Sequence, residues 1–337
     1  MTERPPWARQ DWLDQVQEAV VDPGRVIVDP HHHLWERPGT GSYLLDDLRA
    51  DTGSGHHVTE TVFVECGAGY LQEGPEHLRP VGETAFVAAL AAESRTSPGA
   101  RIAGIVARAD LRLGADLLGE VLDAHEAAGG GLFRGIRHAG ARDDHREALT
   151  IPGSAPAGLY ADPDFRAGVA LLGERGLTYD TWHYHHQNAD FAALAQAVPG
   201  TTMVLDHFGT PLGVGPYEGR RDEIFAGWKD DIAAIAEHAN VVAKLGGLAM
   251  PDNGFGWHLA ERPPTSDELV AAQGRYHHHA LECFGPDRCM FESNFPVDRW
   301  SLSYAVLYNA FKKMVAERPD AEQDALFAAT ARRVYRL

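Results

Sequence analysis

The chain is poor in cations for its size: Lys and Arg total 30 against 48 Asp and Glu, a formal net charge of −18 over 337 residues. A field of that sign repels phosphate backbones and anionic lipid, so neither nucleic acid nor a membrane is an expected partner. Cysteine is scarce too. The three present, Cys66, Cys283 and Cys289, are scattered without a pairing pattern. That excludes a disulfide framework and a thiolate metal knuckle, and it suits a reducing cytoplasm. Long apolar runs are missing, since no stretch approaches the roughly 18 residues of a membrane span. Trp7, Asp11 and Glu18 stand where a secretory leader would be basic and then apolar, so no signal peptide is read. Internal repeats, low-complexity linkers and composition breaks are absent as well.

What is present is a globular composition, 44% hydrophobic and 23% charged, with enough apolar material for one large core. Short β-branched runs alternate with longer segments of helical periodicity, the pattern of βα units and a parallel sheet. Eight strands are predicted, at 26–29, 60–65, 102–108, 132–137, 177–182, 202–206, 241–244 and 288–292. Helices are predicted at 81–94, 116–128, 162–175, 191–197, 220–238, 267–284 and 302–316. The long first connection has room for only a short helix near 45–50. The fold class read from this is α/β, a (β/α)8 TIM barrel over residues 25–337. Residues 1–24 read as an N-terminal helical arm, because Trp12, Val16 and Val20 fall at helical spacing. Pro- and Gly-rich stretches at 36–43, 151–158, 211–217 and 250–264 follow strands and read as long lid loops. Strand ends carry polar residues before turn-formers, and in a barrel those ends form the catalytic mouth.

Histidine is abundant, with 18 residues and runs at His31-His32-His33 and His277-His278-His279. Residues two apart on a strand share a face, so His31 and His33 aim at one point while His32 faces away. Two imidazoles together suit a divalent cation, with zinc–nitrogen distances of about 2.0–2.1 Å. Arg134 and Arg137 are three apart and hence on opposite faces. Arg137, nearer the mouth and with His138 beside it, is read as the group that binds a substrate carboxylate. Lys244 ends the seventh strand and offers positive charge or a proton for a leaving group. Glu65 ends the second strand and is placed to orient a histidine. The 277–279 run lies in a helix and reads as a solvated or packing feature. Among the loop aromatics, Trp35 and Tyr184 are candidates to wall an apolar or aromatic substrate.

The segment Asp29-Pro30-His31-His32-His33-Leu34-Trp35 resembles the first-strand motif of the amidohydrolase-2 family. That family includes sugar lactonases, 2-pyrone-4,6-dicarboxylate lactonase and certain aromatic acid decarboxylases. The resemblance extends through Phe133-Arg134-Gly135-Ile136-Arg137-His138, Val204-Leu205-Asp206-His207-Phe208-Gly209, Ala243-Lys244-Leu245-Gly246-Gly247-Leu248 and Met290-Phe291-Glu292-Ser293-Asn294-Phe295-Pro296. It implies that His31, His33 and His207 are metal ligands or carbonyl-polarising groups. From the fifth strand it implies His183 or His185, with His185 preferred. The family's eighth strand carries Ser-Asp-x-Pro, whereas this chain has Ser293-Asn294-Phe295-Pro296. An amide accepts no proton at neutral pH, so Asn294 cannot be the usual base. Glu292, on the same face, and Asp298, past the proline, are the candidate substitutes. Asp206 is expected to face the helix layer or to orient His207.

The resemblance implies a hydrolase that opens a lactone, a related cyclic ester or an amide of a small organic acid. A divalent metal, zinc first and manganese next, is the expected cofactor, with metal-free catalysis by histidine, arginine and carboxylate as the alternative. The rival functions are a metal-dependent decarboxylase of an aromatic or unsaturated acid and a barrel that binds a ligand without turnover. The expected partner is a small-molecule carboxylate or lactone, and a homo-oligomer is compatible with the sequence.

Overall fold

The structure, a computed structural model, describes residues 9–36 and 41–337. Trp7, the first eight residues of the arm, and lid positions 37–40 lie outside the described residues. Eight parallel strands run in the order of the chain, each paired with the next. They are β1 Val26–His32, β2 His57–Val64, β3 Arg101–Ala107, β4 Phe133–Arg137, β5 Thr178–Thr181, β6 Met203–Leu205, β7 Val241–Leu245 and β8 Cys289–Phe291. The ring closes through the segment after β8: Asn294 N donates to His31 O at 2.9 Å and His33 N to Phe295 O at 2.8 Å. Asp29 reinforces this seam, with Oδ1 accepting from Ser293 N at 2.9 Å and Oδ2 from Tyr304 Oη at 3.1 Å.

The helices are α1 Gln10–Leu13, α2 Leu45–Thr52, α3 Val81–Arg95, α4 Ala115–Ala128, α5 Pro163–Glu174, α6 Asn188–Ala197, α7 Arg221–Ala236, α8 Ser266–Phe284, α9 Tyr304–Met314, α10 Asp320–Asp324 and α11 Thr330–Tyr335. Their starts follow local chemistry. Asp162 caps α5 by accepting from the amides of Asp164 and Phe165, with Pro163 at the first position. Thr265 and Glu268 form a capping box at the start of α8. Strand alternation then divides the core in two. Ile27, Phe63, Ile105, Leu245 and Phe291 face the helices. Val28, Val62, Val106, Val204, Val242 and Met290 fill the barrel itself.

One expectation needs correction here. The spacing of Trp12, Val16 and Val20 predicted a helical arm, but α1 spans only four residues and the chain from 14 to 25 runs without regular structure. Contacts to the barrel take the place of helix hydrogen bonds: Glu18 accepts from Ser266 N and Asn309 Nδ2, and the Val21 amide donates to Asn309 Oδ1. The sequence reading also left the C-terminal stretch unassigned. It forms α10, a π-turn at Ala325–Ala329 and α11, and Ala328, Ala331, Val334 and Tyr335 pack against the valines that fill the barrel. Among the described residues no helix is long and apolar enough to cross a membrane. No disulfide joins Cys66, Cys283 and Cys289.

Candidate active site

The strand ends bring a polar cluster together inside the upper barrel. His31 is fully buried, and its ring meets His33 edge-on, with Nε2 to Nε2 at 3.3 Å. His32 points the other way, 3.0 Å from Thr61 Oγ1, as strand alternation requires. His207 arrives by an unusual path. It and Phe208 hold left-handed φ angles of 54° and 58°, which curl the chain back just after β6. The two glycines ending β7 admit this: a Cβ on Gly247 would lie 2.1 Å from His207 Nδ1, and one on Gly246 would lie 2.5 Å from Glu292 Cγ.

Glu292 joins the rings. Its Oε1 lies 2.7 Å from His207 Nδ1 and its Oε2 lies 2.7 Å from His31 Nδ1. His31, His207 and Glu292 each offer one ligand atom within 4.8 Å of the others. Burial drives all three imidazoles toward the neutral form, and positive neighbours add to this. His207 is lowered to about 3, while His31, close to Lys244, and His33, close to Arg137, fall well below the ordinary histidine value. Neutral rings keep a lone pair free for a cation.

Beneath the histidines lies an ion network. Lys244 Nζ is 3.0 Å from both Asp180 Oδ2 and Asp206 Oδ1, and 3.3 Å from His31 Nδ1. Those two carboxylates, with Glu292, hold its pKa above the ordinary lysine value although burial alone would lower it. Burial raises Glu292 to about 8 and Asp206 to about 6, with Asp180 adding repulsion in both cases. Arg137 Nε donates to Glu65 Oε1 at 2.8 Å, and its Nη2 donates to the Glu65 carbonyl. Its Nη1 lies 3.4 Å from His31 Nε2 and 3.9 Å from Asp206 Oδ2. Four carboxylates (Glu65, Asp180, Asp206, Glu292) thus face two side-chain cations. Two imidazole nitrogens and a carboxylate oxygen beside that excess of negative charge make a donor set that fits a divalent cation.

The cluster opens into a mouth cavity of about 550 Å³. His33, Glu65 and Arg137 contribute its polar lining, and Trp35, Trp182 and Trp300 are among its apolar walls. Ile151 and Pro152, from the loop after β4, complete one side. Asp252 pins that loop by accepting from Thr150 N at 2.6 Å and Ile151 N at 2.9 Å. Tyr184 pins it again, accepting from Gly153 N at 2.8 Å and donating to Ile151 O at 3.1 Å.

The structure therefore gathers His31, His33, His207, Glu292, Lys244, Arg137 and Glu65, with Trp35 on the wall. Other residues singled out from the sequence sit elsewhere. His185 accepts the Leu212 amide at 3.3 Å and packs its ring on His186 and Tyr217. His183 is buried against Asn188, 3.0 Å from its Oδ1. His138 accepts the Leu111 amide at 3.1 Å, and Tyr184 secures the loop instead of facing the cavity. Asn294 Nδ2 donates to Asp298 Oδ1 at 2.9 Å, and Asp298 Oδ2 accepts the Ala249 amide at 3.2 Å. His277 packs on Phe208, Phe291 and Phe311, which is the packing role read for that run. Asp206 corrects an expectation: two residues after Val204, which fills the barrel, it continues the inward face and joins the ion network instead of facing the helices. Asp180 was missed. Its signal was a charge within the short strand predicted at 177–182, two residues from Thr178 on the same face.

The chain matches the amidohydrolase family over residues 28–337. It is 30% identical to the L-fucono-1,5-lactonase of Burkholderia multivorans over 328 residues, covering 93% of this chain and 97% of the relative. It is equally 30% identical to a Sinorhizobium fredii protein of unassigned function, y4mH, covering 92% of this chain and 98% of that one. A crystal structure of a Burkholderia multivorans amidohydrolase with bound zinc superposes with a TM-score of 0.73 at 26% identity, covering 93% of this chain and 99% of the other. With the barrel, the inward histidines and this match along almost its whole length, the chain belongs to the amidohydrolase family and is a hydrolase of that family.

Proposed function

We propose that the enzyme opens the lactone ring of a small sugar acid, or a closely related cyclic ester, in a reducing compartment such as the cytoplasm. The observation that carries this reading is the mouth cavity: tryptophans on its walls and Arg137 with His33 in its polar lining. A sugar ring has apolar C–H faces to lie against indole and a carbonyl to present to N–H donors. The lactonase relative acts on a substrate of this kind by its name.

In this reading His31, His207 and Glu292 hold a divalent cation, zinc by preference and manganese next. When bound, the cation supplies Lewis-acid polarisation of the carbonyl and lowers the pKa of water. The chain's own groups do the rest. Arg137, fixed by Glu65, offers N–H groups where negative charge develops on the carbonyl oxygen. Lys244 is held protonated by two carboxylates and keeps that charge without reorganising. Glu292, whose two oxygens face different histidines, would help hold the cation and is the carboxylate that takes the proton of the attacking water. As the ring C–O bond breaks, that proton passes to the departing alkoxide, which stays attached as the hydroxyl of the acid product.

The test is hydrolysis of a panel of 1,4- and 1,5-lactones of aldonic and deoxyaldonic acids, followed with a pH indicator against the uncatalysed rate. Turnover is expected, lost in His31→Ala and retained in His279→Ala. Release of CO2 from an aromatic acid with no lactone opening would replace this reading with a decarboxylase. Tight ligand binding without turnover would replace it with a binding barrel.

A further inference from the structure

The C-terminal helix does more than close the bottom of the barrel. Its last turn sends Tyr335 upward inside the strands, where the side chain is fully buried. Tyr335 Oη donates to Asp180 Oδ2 at 2.5 Å. The same oxygen takes Lys244 Nζ at 3.0 Å, and the other oxygen, Oδ1, takes Thr178 Oγ1 at 2.9 Å. Lys244 Nζ lies 5.5 Å from the centre of the Tyr335 ring and 3.3 Å from His31 Nδ1. An unbroken chain of polar contacts thus runs from the C-terminal helix through Asp180 and Lys244 to the histidine that faces Glu292.

We propose that Tyr335 is a positioning residue of the active site, fixing Asp180 so that Lys244 stays against His31. The physical reason is that a buried carboxylate keeps one orientation only while its lone pairs are satisfied. Lys244 has two acids to choose between, Asp180 and Asp206, at the same distance of 3.0 Å. With three donors, Asp180 holds its share of the ammonium. Without the tyrosine hydroxyl, Oδ2 loses its shortest partner, the carboxylate is free to turn, and Lys244 loses one of the two acids that hold it beside His31. A site held from the opposite end of the barrel makes the last residues of the chain part of its geometry, although none of them lines the cavity.

The inference rests on the lactonase reading for its kinetic arm only. Tyr335→Phe keeps the ring that fills the barrel and removes the hydroxyl alone. Val334→Ala, in the same apolar cluster with no polar link to the site, serves as the structural comparison. We expect Tyr335→Phe to lower kcat about tenfold with KM within about twofold. Val334→Ala should lower Tm and leave kcat unchanged. Crystal structures of the wild type and Tyr335→Phe supply a readout that needs no substrate, and they should show the Asp180 carboxylate turned and Lys244 Nζ displaced from Asp180 Oδ2 and from His31 Nδ1. An unmoved Lys244, or a kcat in Tyr335→Phe equal to wild type, overturns the proposal. A wild type that opens no lactone overturns the functional reading, and the position of Lys244 then decides this one alone.

Discussion

Asn294 Nδ2 donates to Asp298 Oδ1 at 2.9 Å, so the amide that replaces the family's carboxylate is committed to an acid four residues on. Both side chains are buried, and burial raises the Asp298 pKa well above the ordinary carboxylate range. Restoring the family residue with Asn294→Asp would set two carboxyl groups face to face. One must then stay protonated or the pair repels. We expect a loss of about 1–3 kcal/mol, read as a lower urea midpoint, with the effect growing as pH rises.

In the proposed reaction Glu292 takes the role that the eighth strand's asparagine cannot. Glu292→Gln keeps the shape and removes both the charge and the basic oxygen. Activity should fall by about 10² or more, the usual range for losing a general base. The zinc content of the purified variant, measured by elemental analysis, should fall with it. Full metal loading with intact activity would exclude Glu292 from both roles.

Asp252 acts at a distance, through two consecutive backbone amides that set the cavity wall at Ile151. Asp252→Ala should loosen that wall without touching the histidines. KM should rise about tenfold while kcat stays within about threefold of wild type. Steady-state kinetics on the best lactone separate the two parameters.

Stability should fall in mild acid because of buried neutral histidines outside the site. His125, His183 and His277 are each lowered to about 4, chiefly by burial. Between about 4 and 6.5 the unfolded chain binds their protons and the folded chain does not, so stability drops as pH falls through that window. A tenfold difference in proton affinity between the folded and unfolded chain corresponds to about 1.4 kcal/mol. Glu292, raised to about 8, acts with the opposite sign, losing stability as pH rises from about 4.5 to 8. His277→Phe isolates one histidine, since its ring already packs among Phe208, Phe291 and Phe311. Urea midpoints at pH 5 and pH 7 should lie closer together in that variant than in wild type.

How far the sequence reached is clearest at the first strand. The alternation that sends His31 and His33 one way and His32 the other is a property of any extended backbone, so neighbouring residues suffice to read it. The same local logic yields eight strands in order and the candidacy of Glu292 two residues before Asn294. Lys244 and Glu65 were legible as polar strand ends, and Arg137 was legible as the one of two arginines that enters the barrel. Its partner was not. Glu65 lies 72 residues away, and only the closed ring brings it to Nε, which ties the guanidinium to a protein carboxylate before any substrate arrives.

The rest belongs to tertiary structure because it depends on how separate segments meet. His207 reaches the cluster because the chain curls left-handedly there, and that conformation stands only where Gly246 and Gly247 leave room. His185 was preferred as a ligand on the resemblance, yet a short turn carries it to the loop at Leu212. Tyr335 carries no local mark at all. It matters because a helix from the end of the chain fills the barrel that the first strand begins. The sequence alone therefore determined the elements, their order and the paired histidines, since backbone alternation and apolar periodicity act over a few residues. Which charges neutralise one another inside the barrel was decided by its closure, since a buried ion pair is fixed by distance in space and not by separation along the chain.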